Sequence, residues 1–197
     1  MPLIAPEPPP QVAETVQSTF RAAVEPRSVK IPALRRAAGP LTLTEPHQIF
    51  SLGLNDLAAG RALEGAKPTG WRYLVRDTEN VLASAETAIR EGGAEHVFSA
   101  FNASAAVAST VRALQTARGL PEVRGGSFEQ RLLRIPALYF TALWMHSTQG
   151  GEDLLVPLEP SPDVPIGQAV PAAQLLGELA SKAKSVPALG PDDRTGG

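Results

Sequence analysis

Arg131–His146, RLLRIPALYFTALWMH, is the densest apolar stretch of the chain, and it limits what the rest can build around it. Read as a helix, it places Leu132, Ile135, Tyr139, Ala142 and Leu143 at suitable spacing. Pro136 opposes that reading, because an internal proline removes a hydrogen bond and clashes with the preceding turn, at a cost of about 3 kcal/mol. Two strands meeting at a proline-containing bend suit the pattern better. Before the bend, Arg131, Leu133 and Ile135 alternate with Leu132 and Arg134. After it, Leu138, Phe140, Ala142, Trp144 and His146 alternate with Tyr139, Thr141, Leu143 and Met145. Apolar side chains on both sides imply a sheet centre covered on both faces, or a strand whose second face belongs to a partner.

The segments on either side supply more sheet and one main helix. Trp71–Asp77, WRYLVRD, alternates, with Trp71, Tyr73 and Val75 on one face and Arg72, Leu74 and Arg76 on the other. Val81–Ile89 is its natural hairpin partner. With Asp77 opposite Asn80, Arg76 pairs with Val81, Tyr73 with Ser84 and Trp71 with Glu86. The turn lacks the Asn-Gly type of sequence that would hold this register, and a slip of one residue would exchange the faces. His47–Leu54 reads as a strand of mixed burial, followed by a short helix over Asp56–Leu63 capped by Asn55. Val97–Gly119 contains the best helix, with Asn102 or Ser104 as N-cap and Val107, Val111 and Leu114 along one side; Pro121 prevents continuation. Asp153–Leu158 reads as a returning strand, ending at a sheet edge because of Pro157.

The ends differ in composition. Pro6, Pro8, Pro9 and Pro10 give the N-terminus polyproline character. Gln11–Val24 has helical spacing at Val12, Val16 and Phe20 but is too short to persist without docking on something. Pro26–Gly39 carries Arg27, Lys30, Arg35 and Arg36 with no acid and reads as a basic linker. Prolines at 160, 162, 165 and 171 mark a second linker, Ala172–Lys184 has the pattern of a short amphipathic helix, and Pro187–Gly197 reads as disordered. The expected organisation is therefore residues 1–40 as a Pro-rich tail, short helix and basic linker, 41–160 as the globular domain, and 161–197 as a Pro-rich tail with a short helix.

The expected fold is α+β: an antiparallel sheet of five or six strands packed against one main helix, with flexible Pro-rich termini. No run reaches the roughly 20 apolar residues of a spanning helix. The N-terminus lacks the basic start of a signal peptide, so a soluble cytoplasmic protein is expected. The net charge is −2, which provides no basic field for nucleic acid. Four Lys against fourteen Arg, with abundant Ala, Gly and Pro, suggest a GC-rich and bacterial coding sequence.

Chemistry-bearing motifs are sparse. There is no cysteine, and the three histidines, His47, His96 and His146, offer no helical metal pair, so neither a metal nor another cofactor is expected. Glycine-rich nucleotide loops and nucleophile elbows are absent. In the hairpin register above, Trp71, Tyr73, Ser84 and Glu86 share one face. Two aromatics, a hydroxyl and a carboxylate can bind a small polar-aromatic ligand, and burial beside the rings would raise the pKa of Glu86. The leading functional expectation is a non-enzymatic interaction or assembly module, with a protein partner or self-association through the 131–146 stretch. A small-molecule-binding domain using the Trp71 face is the alternative. An enzyme with Glu86 or a histidine as acid–base group comes third.

Overall fold

The structure, a computed structural model, describes residues 3–24, 31–162 and 164–185. In chain order the elements are α1 (Pro10–Val24), β1 (Thr42–Ser51), α2 (Leu54–Ala58), β2 (Lys67–Arg76), β3 (Val81–Ile89) and β4 (His96–Asn102). They continue with α3 (Ala105–Gly119), α4 (Pro121–Gly125), β5 (Phe128–Ile135), β6 (Phe140–Ser147), β7 (Leu154–Pro157), β8 (Val170–Pro171) and α5 (Ala172–Ser185). Among the described residues there are also three short 3-10 turns, at Leu34–Arg36, Ala62–Gly65 and Pro136–Leu138. Arg27 and Lys30 of the basic linker, and the segment from Pro187 onward, lie outside the described residues.

The α+β class holds, but the sheet is larger than expected and not purely antiparallel. Among the described residues it has eight strands, in the order β4-β3-β2-β1-β5-β6-β7-β8. All neighbouring pairs are antiparallel except β1 and β5, which run parallel from Gln48–Ser51 against Arg131–Arg134. The first four strands form a meander moving outward from β1. A parallel neighbour then requires a crossover, and α3 supplies it. Its 15 residues make a rod of about 22 Å, enough to span the roughly 19 Å from β4 back to the far side of β1.

Arg131–His146 is two strands, as its pattern implies. Residues Phe128–Ile135 pair with Phe140–Ser147, from Phe128 opposite Ser147 to Ile135 opposite Phe140. Pro136 opens the 3-10 turn between them. Tyr139 is not part of the second strand. It turns the chain at φ 50°, a left-handed conformation that bulky side chains rarely adopt, and it is 79% exposed at the hairpin tip.

Helices cover both faces of the sheet, and more of them than the one main helix expected. On one face, α3 and α4 bring Val107, Ala113, Leu114, Ala117 and Val123 onto Ile49, Leu74, Leu132, Leu143, Met145 and Val156. On the other, α1 lays Val12, Val16 and Phe20 over Trp71, Tyr73, Val75, Ala83 and Ala85. Beside it, α5 packs Leu175, Leu176 and Leu179 over Leu133, Ile135, Phe140, Ala142, Trp144 and Leu155. The second apolar face of Arg131–His146 is therefore covered by this chain's own α5. The assembly expectation loses the support it drew from that face.

Several local expectations shift. The first part of Val97–Gly119, the stretch expected to contain the main helix, belongs to a strand, β4 (His96–Asn102). Of the two candidate N-caps, Ser104 occupies the position and Asn102 lies in the strand. The helix after β1 is capped by Gly53 and not by Asn55. Beyond β7 lies β8, pairing with Leu154 and Leu155, so β7 is not the outermost strand. No helix among the described residues is long and apolar enough to cross a membrane.

Candidate functional site

The expected ligand face is divided by the hairpin's actual register. The Asp77 backbone N–H does donate to the Asn80 carbonyl across the turn, and Arg76 does pair with Val81. The pairing then jumps, and Val75 lies opposite Ala83. Leu82 is thus an extra, unpaired residue, a β-bulge that advances β3 by one and turns its side chains over. Trp71 pairs with Thr87, Arg72 with Glu86, Tyr73 with Ala85 and Leu74 with Ser84. Trp71 and Tyr73 point under α1, whereas Ser84 and Glu86 point to the α3 face. The four residues do not form one cluster. Trp71 and Tyr73 are sealed into the core beneath Val12, Val16 and Phe20. Burial pushes the Tyr73 hydroxyl up to about 12, and that hydroxyl finds no hydrogen-bond partner.

Glu86 is the centre of a different arrangement. Arg72 donates to it through Nε at 2.7 Å and forms a 2.6 Å ion pair through a terminal nitrogen. From β5, Arg134 reaches both carboxylate oxygens at 3.0 Å, and Asn102 contributes a longer contact at 3.4 Å. Burial alone would raise the pKa of Glu86. The charges of Arg72 and Arg134 and their hydrogen bonds outweigh it, and the pKa falls below the ordinary value. The expectation of a raised pKa is thereby corrected. A carboxylate held ionised by two guanidiniums is a poor general acid. Its role here is to tie β3 to β2 and, across β2 and β1, to β5.

His47 lies opposite Arg72 on β1 and is completely buried. Burial, then the charge of Arg72, lowers its pKa to about 4, partly opposed by Glu45 and the nearby backbone. Neither ring nitrogen has a hydrogen-bond partner of good geometry. His146 is half-exposed and contacts Asp153 at 3.1 Å. Asp153 also accepts from the Trp144 indole at 2.7 Å and from the Ser147 backbone at 2.8 Å. This carboxylate therefore closes the β6–β7 turn. Among the described residues no three His, Asp or Glu side chains gather into a metal-binding group.

A concavity lies on the α3 side of the sheet, at the end where β2 turns into β3. It encloses about 500 Å³, within the usual range for small-molecule sites. Leu74, Val81, Val111 and Leu114 provide apolar surface, and Arg76, Glu79, Asn80, Arg112, Gln115, Arg118 and Glu45 provide polar groups. Two of these arginines are engaged: Arg112 pairs with Glu159 at 2.9 Å and Arg118 with Glu45 at 2.6 Å. Arg76 and Glu79 form no salt bridge among the described residues, with each other or with another group. Asp77, beside Arg76, is held by the backbone N–H groups of Ala38, Glu79 and Asn80.

Glu45 shapes one wall. It sits in a break of the β1–β2 register between Thr44 and His47, at φ 50° and directly before Pro46. A left-handed backbone at a non-glycine residue costs on the order of 1 kcal/mol or more. That turn carries the carboxylate to Arg118 and to the amide of Gln130 at 3.1 Å. Burial works to raise its pKa, but the hydrogen bonds from Arg118 and Gln130 and the Arg118 charge hold it below the ordinary value.

None of the groove residues belongs to the expected site. Arg112 and Arg118 are legible as polar positions on the α3 helix, but only the crossover sets them above β1, β2 and β3. No protein-family model, curated protein or solved structure matches the chain.

Proposed function

We propose that this chain is a non-enzymatic small-molecule-binding domain, with the α3 groove as its site. The ligand is an amphipathic molecule with an apolar body and an anionic group. One observation carries the reading: an apolar surface of Leu74, Val81, Val111 and Leu114 adjoins an arginine, Arg76, that forms no salt bridge among the described residues. An anion at Arg76 gains a charge-assisted hydrogen bond, while the apolar body displaces water from the groove. Glu79 and Asn80 stand at the same rim and suit a donor on the ligand. The other charged groups of the wall, Glu45, Arg118 and Arg112, are already paired, Glu45 with Arg118 and Arg112 with Glu159, and leave the apolar surface to set the fit.

Decanoate, with decanol as its uncharged counterpart, tests this by titration calorimetry. Decanoate should bind more tightly than decanol by about tenfold or more, the worth of one hydrogen bond to a charged group. Arg76→Gln should remove that difference. Ala108→Trp, at an exposed position lining the groove, should weaken both ligands. Equal binding of the two probes by the wild-type chain, or tight binding that ignores both substitutions, would overturn the proposal.

A further inference from the structure

The two edges of the sheet are finished differently. At one end β8 is two residues long, includes Pro171 and passes directly into α5. A short edge with a proline is poorly suited to extension. At the other end β4 is seven residues, HVFSAFN, with no proline and no Asp, Glu, Lys or Arg. Its inner side pairs with β3 from Ser84 to Ile89, and no described strand pairs with its outer side. Phe98 and Phe101 lie 4.7 Å apart on it, and Phe20 of α1 is 6.5 Å from Phe101. Both β4 rings are only half-buried.

We propose that β4 is a self-association edge, on which a second copy of this chain pairs its own β4 antiparallel about a two-fold axis. An antiparallel strand pair is self-complementary under such an axis, so one surface serves both partners. The bulge at Ser99 guides the centre. Glu86 pairs with Ala100 and Thr87 with Phe98, leaving Ser99 unpaired with β3. Bulges usually guard an edge, but this one sits at the strand's midpoint and leaves three residues on either side. A two-fold axis there sets each half of one edge against the opposite half of the other. It also continues the row of Phe20, Phe98 and Phe101 into the second copy.

Charge favours a second copy over an unrelated strand. With Ser99 opposite Ser99, Glu95 falls opposite Ala103, beside the N-terminus of the partner's α3. That helix has no acidic residue in its first turn, and Ser104 at its N-cap makes no side-chain capping hydrogen bond. A carboxylate arriving there meets the positive end of the helix dipole. Glu95 currently pairs only at the surface, with Arg90 at 3.1 Å, both well exposed. The match occurs at both ends of the interface, because each copy carries the carboxylate and the open helix end.

Sedimentation of the full chain across a concentration series tests the pairing. A reversible species of twice the 20.7 kDa chain mass is expected. Ser99→Pro, which spares the residues paired with β3, should weaken association at least tenfold with an unchanged circular dichroism spectrum. If that variant fails to fold, Glu95→Lys, at an exposed position, still reads the interface and should weaken it severalfold. A wild-type chain that stays monomeric, or a dimer indifferent to the folded variants, would overturn the inference.

Discussion

His47 carries an imidazole into a place where water does not reach it. Its neutral form belongs to the folded state, because burial and the charge of Arg72 lower its pKa from 6.5 to about 4. The unfolded chain therefore binds a proton at higher pH than the folded chain does. Stability from this group is complete above about pH 6.5 and is lost as the pH falls toward 4, by about 3 kcal/mol in all. The depressed carboxylates Glu45 and Glu86 act in a lower window, contributing above the ordinary carboxylate pKa and failing below it. Urea unfolding at closely spaced pH values should thus show a slope between pH 6.5 and 4.5 that His47→Leu flattens. An unchanged slope in that variant would assign the effect elsewhere. The sequence makes all three histidines look like surface residues at strand ends. His47 departs because the break at Glu45–Pro46 re-aims the strand and leaves the ring opposite Arg72. That geometry is a property of two strands, not of one segment.

At the scale of elements, strand patterns read well and strand registers do not. The alternation of Trp71, Tyr73 and Val75 against Arg72 and Leu74 is what the sheet contains, as is the pair of strands around Pro136. The expected contact between the Trp71 face and Glu86 fails on a single residue, Leu82. A side-chain period of two means one inserted residue exchanges the faces. No side-chain type in VLASA announces that bulge; it is chosen by how β3 fits β2. The short helix over 172–184 was equally legible, but its partner was not. Its leucines cover the strands that otherwise look as if they need another protein. Leu176→Ala should therefore destabilise the whole fold by about 2–5 kcal/mol in denaturant unfolding, as a buried leucine does. A helix merely appended to the domain would show no such loss.

At the scale of the molecule, the sheet has an interior and two unequal edges. Hydrogen exchange should follow it. Amides of β1, β5 and β6 should exchange last, and those of β4 and β8 earliest when the chain is dilute, since opening an edge exposes fewer buried contacts. Uniform protection across all eight strands would contradict a sheet with those edges. By itself the sequence determined the α+β class, the presence of helices within 11–24, 97–119 and 172–184, and the two-strand character of Arg131–His146. These follow from side-chain periodicity, proline placement and capping, which act within a few residues. Only the tertiary structure decided that β5 runs parallel beside β1, that α5 covers the second face of Arg131–His146, and that Glu86 serves two arginines. It also decided that the concavity lies under α3 and not over Trp71. Each of these depends on contacts between residues far apart in the chain, where one bulge or one crossover moves a side chain from one face of the sheet to the other.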